Sequence, residues 1–159
     1  MRIAKRCQPT SCMASTFLSL HYHIVFSTKD RRPFIRPEWR PRLHDYLGGT
    51  VNGLEGISQQ VGGVVDHVHL LIGLKATHCL ADFMRELKKA SSAWARTNFG
   101  PEFAWQDGYA AFTVSASVRE RVLDYILRQE EHHEQRDFAS ELKDLLEKHG
   151  VAYEPKYLL

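Results

Sequence analysis

The chain has 159 residues, 43% of them hydrophobic, which is long enough for one domain with a substantial core. No stretch approaches the roughly 18 consecutive apolar residues of a membrane span, and three cysteines do not make the disulfide framework of a small secreted protein. The formal net charge of +2 does not by itself indicate a nucleic-acid partner. We therefore expect a cytoplasmic protein in which residues 1–13 are a disordered leader and residues 14–159 form a single domain.

The first half of the chain predicts three strands and one helix. Alternating apolar residues predict a strand over Phe17–Ser27. Pro37 suits the first turn of a helix that runs to about Leu47, where a Gly-Gly pair would end it. Two further strands, Gly56–Val64 and His67–Leu74, are close enough in sequence to form a hairpin.

The second half predicts one strand and three helices. Apolar residues recur at intervals of three and four from Leu80, which predicts an amphipathic helix that ends at Gly100. A fourth strand follows over Tyr109–Val114. A capping-box sequence then opens a helix over Val118–His133, and a last helix is predicted over roughly Ala139–Lys148.

The first six of these elements follow the order β-α-β-β-α-β, which is the ferredoxin-like, or split βαβ, plan. We therefore predict an α+β fold with an antiparallel sheet, helices on one face of it, and an open second face that carries the active site. RNA-recognition modules use similar open sheets, so the fold alone does not choose between an enzyme and a binding module.

The strand at 67–74 carries the most informative pattern of the chain, His67-Val68-His69. Side chains alternate along a strand, so the two histidines share one face while Val68, Leu70 and Ile72 turn to the other. Two neutral imidazoles side by side supply half of a divalent-metal site. A pair of histidines on a half-solvated sheet face fits the same pattern, so both interpretations stay open.

The third predicted helix adds a phenol and an amide. Gln129 lies on the same apolar stripe as Val122 and Ile126, and an unpaired buried amide costs about 1–3 kcal/mol. Tyr125 lies one turn before Gln129. The amide oxygen could complete a metal site and the phenol could act as a nucleophile beside it. A tyrosine at the core edge and a glutamine bonded to backbone also satisfy the pattern.

Five segments, taken together and in this order, resemble the single-tyrosine HUH transposases. These are the small enzymes of the simplest bacterial insertion sequences and their relatives, the REP-associated tyrosine transposases. The resemblance covers about residues 14 to 158. The segments are Leu20–Lys29 (LHYHIVFSTK), Asp66–Leu71 (DHVHLL), Leu87–Ser92 (LKKASS), Trp105–Tyr109 (WQDGY) and Tyr125–His133 (YILRQEEHH).

This resemblance implies a catalytic domain that cleaves and rejoins single-stranded DNA near hairpins through a 5′-phosphotyrosine intermediate. By position, it implies that Tyr125 is the nucleophile and that His67, His69 and Gln129 bind a divalent metal, either Mg²⁺ or Mn²⁺. It also implies a homodimer, in which the tyrosine helix of one subunit is able to complete the site of the other.

Basic residues cluster in an early segment and along the second predicted helix. Such local patches can bind phosphates despite a small net charge, although an ordinary solvated helix face gives the same pattern. The candidate DNA contacts are Arg31, Arg32, Arg85, Lys88, Lys89 and Arg96.

Two other classes of function remain open on the sequence. One is a non-catalytic or domesticated protein that recognises DNA hairpins with the same fold. The other is a structural domain stabilised by zinc through the histidines, which the absence of a thiolate pair disfavours.

Overall fold

The computed structural model describes residues 16–133 and 137–158, so the predicted leader at residues 1–13 lies outside the described residues. Within the described ranges the chain forms four strands and five helices, with short 3₁₀ turns between some of them. The strands are β1 (His21–Ser27), β2 (Ile57–Gly63), β3 (His67–Gly73) and β4 (Ala110–Val114). The helices are α1 (Arg40–Gly53), α2 (Leu80–Asn98), α3 (Arg119–Leu127), α4 (Gln129–His133) and α5 (Phe138–Lys148).

The four strands form one antiparallel sheet in the order β2-β3-β1-β4. With α1 after β1 and α2 after β3, this is the α+β, ferredoxin-like arrangement that the order of predicted elements indicated. The pairing of β1 with β3 places Ser27 opposite His67 and Val25 opposite His69, which puts the histidine strand in the middle of the sheet.

The first face of the sheet packs on α1 and α2. The alternation predicted for β3 is confirmed, because Val68, Leu70 and Ile72 are fully buried in the core that these helices share with the sheet. The α2 residues that meet the sheet include Met84 and Leu87. This face holds the main hydrophobic core and leaves the opposite face to the histidines.

The second face, which we expected to stay open, is covered by α3 and α5. Alternation along the strands sends Leu71 and Val25 to the same side as the histidines, and such apolar side chains need cover. Leu71 packs against Ile126 of α3, and Val25 packs against Phe138 of α5. The predicted active-site face is therefore a buried interface in this structure.

Several element boundaries differ from the sequence prediction. The glycines at 48 and 49 do not end α1, which continues to Gly53. The helix predicted over Val118–His133 breaks at Arg128, where non-helical backbone separates α3 from α4. The predicted capping box does not form, because Ser117 lies in a 3₁₀ turn and its hydroxyl hydrogen-bonds Ser115 instead.

No helix in the described ranges is both long enough and apolar enough to cross a membrane.

Candidate active site

The two histidines of β3 lie side by side on the covered face of the sheet. His67 and His69 are both 0% exposed, and their ring centroids are 5.1 Å apart with the rings nearly perpendicular. The two histidines therefore lie on one face of the strand, as the His-x-His pattern predicted, but that face is buried rather than half-solvated.

Each histidine is held through its Nδ1 atom by a different partner. The Nδ1–H of His67 donates to Asp66 Oδ1 at 2.7 Å, and Nδ1 of His69 is 2.9 Å from Nε2 of His23. The Nε2 atoms of both ligand candidates are buried and have no hydrogen-bond partner. This arrangement fixes the ring orientations and leaves both Nε2 atoms without a hydrogen-bond partner, as a metal ligand requires.

Burial keeps part of this cluster neutral. It lowers the pKa of His69 to about 4 and, with the nearby charge of His69, lowers the pKa of His23 to about 3. Burial also acts to lower the pKa of His67, but the hydrogen bond to Asp66 and the nearby Glu141 carboxylate outweigh it, so this pKa is raised above its usual value. His69 is thus a neutral imidazole at neutral pH, the form that binds metals.

A glycine lets the tyrosine helix approach the sheet. Gly62 of β2 pairs with His69, and a Cβ at Gly62 would lie 2.3 Å from the carbonyl oxygen of Ile126. Because that contact is to backbone, only glycine allows α3 to come this close. The approach brings Tyr125 to the histidines, with its ring centroid 5.9 Å from that of His69.

Gln129 enters the same site from the first position of α4. Its side chain is 1% exposed, and its Oε1 atom is buried without a hydrogen-bond partner. Glu130, the next residue, forms an ion pair with the buried Arg40 at the start of α1, which links α4 to α1. The structure therefore brings Tyr125, Gln129 and both histidines together within one chain.

The sequence prediction missed Glu141 of α5, which lies at the centre of this group. The Tyr125 hydroxyl donates to Glu141 Oε1, as does Gln129 Nε2 at 3.2 Å. His133 Nε2 donates to Glu141 Oε2 at 2.9 Å. Glu141 was detectable, because it lies three residues after Phe138 and four before Leu145, on the apolar stripe of α5.

Glu141 also faces the two histidines. Its Oε2 is 3.5 Å from Nε2 of His67, and its Oε1 is 3.5 Å from Nε2 of His69. Burial acts to raise the pKa of this carboxyl group, but the hydrogen bond from His133 and the nearby imidazoles of the two strand histidines together hold the pKa below its ordinary value. The group is a carboxylate in this environment.

The donor set fits a divalent cation. His67, His69 and Glu141 each present a ligand atom, and these atoms lie within 4.8 Å of one another. Three of the five buried side-chain atoms without a hydrogen-bond partner in the described ranges are His67 Nε2, His69 Nε2 and Gln129 Oε1, the atoms expected to bind the metal. Unsatisfied buried acceptors that converge are unusual in folded proteins unless a ligand is meant to pair with them.

A cavity of ≈ 710 Å³ between β4, α3 and α5 borders the site. Tyr125, Glu141 and His133 line it, as do three exposed charged residues, Arg121, Asp144 and Lys148. The nucleophile candidate therefore faces a cavity whose exposed charged residues are two cations and one carboxylate.

The basic residues chosen from the sequence lie elsewhere. Those on α2 are on the opposite face of the sheet from the histidines, and three of the four are engaged in local contacts. Arg85 pairs with Asp82, Lys88 Nζ donates to the carbonyls of Gln106 and Gly108, and Arg96 Nε donates to the carbonyl of Phe103. Lys89 is exposed on α2, Arg31 lines a separate cavity, and Arg32 lies over the Phe34 ring.

Comparison with known proteins identifies the family. The profile described as "Transposase IS200 like" matches residues 16–129, most of the chain. The chain belongs to the IS200-like transposase family. The ISDra2 transposase TnpA of Deinococcus radiodurans is 31% identical to this transposase over 117 residues, which is 67% of this chain and 81% of the relative.

Solved structures agree with this assignment. A candidate transposase from Deinococcus radiodurans superposes on this transposase with a TM-score of 0.59 and 27% identity, covering 73% of this chain and 95% of the other. A REP-associated tyrosine transposase bound to a REP hairpin shares the fold at a TM-score of 0.56 and 13% identity, over 76% of this chain and 74% of that one. The protein is therefore a transposase, as the five sequence segments implied.

Proposed function

We propose that this transposase cleaves and rejoins single-stranded DNA by a metal-dependent reaction that passes through a covalent phosphotyrosine at Tyr125. The observation that carries the proposal is the position of the Tyr125 hydroxyl. It is hydrogen-bonded to the Glu141 carboxylate, which faces both histidines. The phenol and the candidate metal ligands therefore lie in the same site.

In the proposed cleavage step, the Tyr125 oxygen attacks the scissile phosphorus. The bond from phosphorus to the Tyr125 oxygen forms as the bond to the 3′ oxygen breaks. Water takes up the phenolic proton and supplies one to the departing 3′ oxygen, so the products are a 5′-phosphotyrosine and a free 3′-hydroxyl. The new ester keeps the phosphodiester bond energy, so a 3′-hydroxyl can reverse the step and join new ends.

The residues divide this work. A phenol has a pKa of about 10 and needs help to react at neutral pH. Glu141 Oε1 holds the Tyr125 hydroxyl in one orientation. His67, His69 and Gln129 would hold Mg²⁺ or Mn²⁺. When bound, the cation supplies Lewis-acid stabilisation of the charge that develops on the phosphate.

The proposed substrate is a single strand beside a hairpin. An unpaired strand has a flexible backbone that can bend into the cavity beside Tyr125, whereas bending a duplex costs energy. Arg121 and Lys148, which line that cavity, are the phosphate contacts that the geometry favours. The hairpin bound by the REP-associated relative supports recognition of a hairpin here as well.

We also propose that the transposase acts as a homodimer and works on DNA in the cytoplasm. Ile57 is 65% exposed on β2, an outer strand of the sheet, and an exposed apolar side chain at a sheet edge suits contact with a second copy. Light scattering that finds only monomers, both alone and with DNA, would contradict the dimer.

The test is the substitution Tyr125→Phe. We expect it to abolish DNA cleavage and the covalent protein–DNA complex formed with Mn²⁺, because it removes the attacking oxygen, while hairpin binding stays nearly unchanged. Denaturing gels of labelled single-stranded DNA from the flanks of the gene measure the complex. The matched control is Tyr46→Phe, since the Tyr46 ring stacks on Trp94 across the sheet from the site.

Persistence of the covalent complex in Tyr125→Phe would contradict the role of Tyr125. Hairpin binding without cleavage by the wild type, over a range of flanking sequences and with Mn²⁺ present, would favour a non-catalytic hairpin-binding protein instead.

A further inference from the structure

We infer that Glu141 is a metal ligand of this transposase, so that α5 supplies a charged donor to the site formed by β3 and α4. The inference rests on the proposed function only in requiring that the site bind a divalent cation. It assigns a role to a residue that neither the His-x-His pattern nor the Tyr125–Gln129 pair includes.

The spacing of the donor atoms supports this assignment. Two atoms that bind one cation at about 2.0–2.2 Å lie roughly 3–3.5 Å apart. Glu141 Oε2 is 3.5 Å from His67 Nε2, and Glu141 Oε1 is 3.5 Å from His69 Nε2. Both nitrogens lack a hydrogen-bond partner at this spacing. The two oxygens therefore stand at the separation of neighbouring ligands rather than of hydrogen-bonded atoms.

The charge of the site favours the same conclusion. The donors implied by the family resemblance, two imidazoles and one amide, are all neutral, so a buried dication would keep its full charge among them. Glu141 is 6% exposed and supplies a negative charge in direct reach of that position. A carboxylate offsets the cost of burying the cation, and carboxylate oxygens are the donors that Mg²⁺ and Mn²⁺ prefer.

The position of Glu141 is fixed from several sides. Phe138, at the start of α5, stacks on the ring of His67 with centroids 4.3 Å apart, and Asp137 caps the helix by accepting from Ser140 N at 2.7 Å. His133 and Tyr125 donate to the carboxylate itself. These contacts orient a ligand from outside the coordination shell, as partners of metal-bound carboxylates do.

A rival interpretation makes the opposite prediction. If the Glu141 carboxylate merely filled the space of the cation, it would compete with the metal, and removing its charge would tighten metal binding. If it is a ligand, removing its charge weakens metal binding. The sign of the change in affinity therefore separates the two.

The experiment is titration of the DNA-free protein with Mn²⁺, followed by calorimetry and by the electron paramagnetic resonance of free Mn²⁺. Glu141→Gln should weaken Mn²⁺ binding at least tenfold, and Glu141→Asp, which keeps the charge, should weaken it less. The matched control is Glu147→Gln on the same helix. Glu147 is exposed and bonds Tyr153 instead of the site, so this variant should bind Mn²⁺ like the wild type.

Unchanged or tighter Mn²⁺ binding in Glu141→Gln would overturn the inference. A second measurement needs no variant, so it holds even if both substitutions unfold the protein. A crystal structure of the Mn²⁺-loaded wild type should place a Glu141 oxygen on the ion, within about 2.4 Å, and an ion bound by the histidines with Glu141 turned away would also overturn it.

These outcomes are distinguishable from those that test the proposed function. Glu141-dependent Mn²⁺ binding without any covalent DNA complex would contradict the phosphotyrosine chemistry and leave the ligand assignment standing. A covalent complex at Tyr125, together with Mn²⁺ binding that Glu141→Gln does not weaken, would support the phosphotyrosine chemistry and contradict the ligand assignment.

Discussion

The residues around the histidine pair decide whether two imidazoles can act as metal ligands. Asp66 contacts Nδ1 of His67 and His23 contacts Nδ1 of His69, so the two Nε2 atoms are left without hydrogen-bond partners. Without such partners an imidazole can rotate or carry its proton on the nitrogen that the metal requires. The pattern His67-Val68-His69 predicts the two candidate ligands, but it does not contain the partners that orient them.

Asp66→Ala tests this support. We expect Mn²⁺ affinity to fall by about 10–100-fold, the usual cost of losing the partner that orients a metal-bound histidine. Asp45→Ala on α1 is the control, because Asp45 is exposed and lies across the sheet from the site. Calorimetric titration measures both, and equal Mn²⁺ affinity in Asp66→Ala and the wild type would contradict the role given to Asp66.

Among the elements, α3 and α5 convert a predicted open sheet face into a buried site. Periodicity predicted the strands, α2 and the facing of Tyr125 and Gln129, because each of those properties is encoded within one segment. The break at Arg128 and the docking of α5 depend on contacts between segments far apart in sequence. Glu141 was missed for that reason, although a glutamate on the apolar stripe of α5 was a visible local signal.

The close approach of α3 to β2 at Gly62 provides an element-scale prediction. Gly62→Ala places a Cβ against the Ile126 carbonyl, so we expect a loss of about 1–3 kcal/mol in the free energy of unfolding, as overpacking typically costs. Because the displaced helix carries Tyr125, formation of the covalent DNA complex should slow as well.

The control for this prediction is Gly49→Ala. Gly49 is exposed inside α1, and a Cβ there meets nothing within 4 Å. Alanine in a helix interior should raise the free energy of unfolding by about 0.5–1 kcal/mol. Urea denaturation measures both variants, and a Gly62→Ala protein as stable and as active as the wild type would contradict the close packing.

The whole molecule should lose stability in mild acid because it buries neutral histidines. Burial, followed by the charge of Arg40, lowers the pKa of His44 to about 4 from 6.5, with Asp45 acting in the opposite direction. Between these values the unfolded chain binds a proton that the folded chain does not. The free energy of unfolding therefore falls as the pH drops from 6.5 towards 4.

Urea denaturation at several pH values measures this dependence. His44→Gln removes one of the groups that titrate on unfolding, so its free energy of unfolding should change less steeply with pH than that of the wild type. The same slope in both proteins would contradict the lowered pKa of His44.

The chain as a whole combines a core on one face of the sheet with a reactive cluster on the other, and the central claim is that this cluster transfers DNA to Tyr125. The most direct measurement is mass spectrometry of the covalent complex after trypsin and nuclease digestion. Trypsin releases Val122–Arg128, a peptide whose single hydroxyl group belongs to Tyr125. We predict a 5′-linked nucleotide on this peptide. A nucleotide on any other peptide, or cleaved DNA without a protein adduct, would contradict the account.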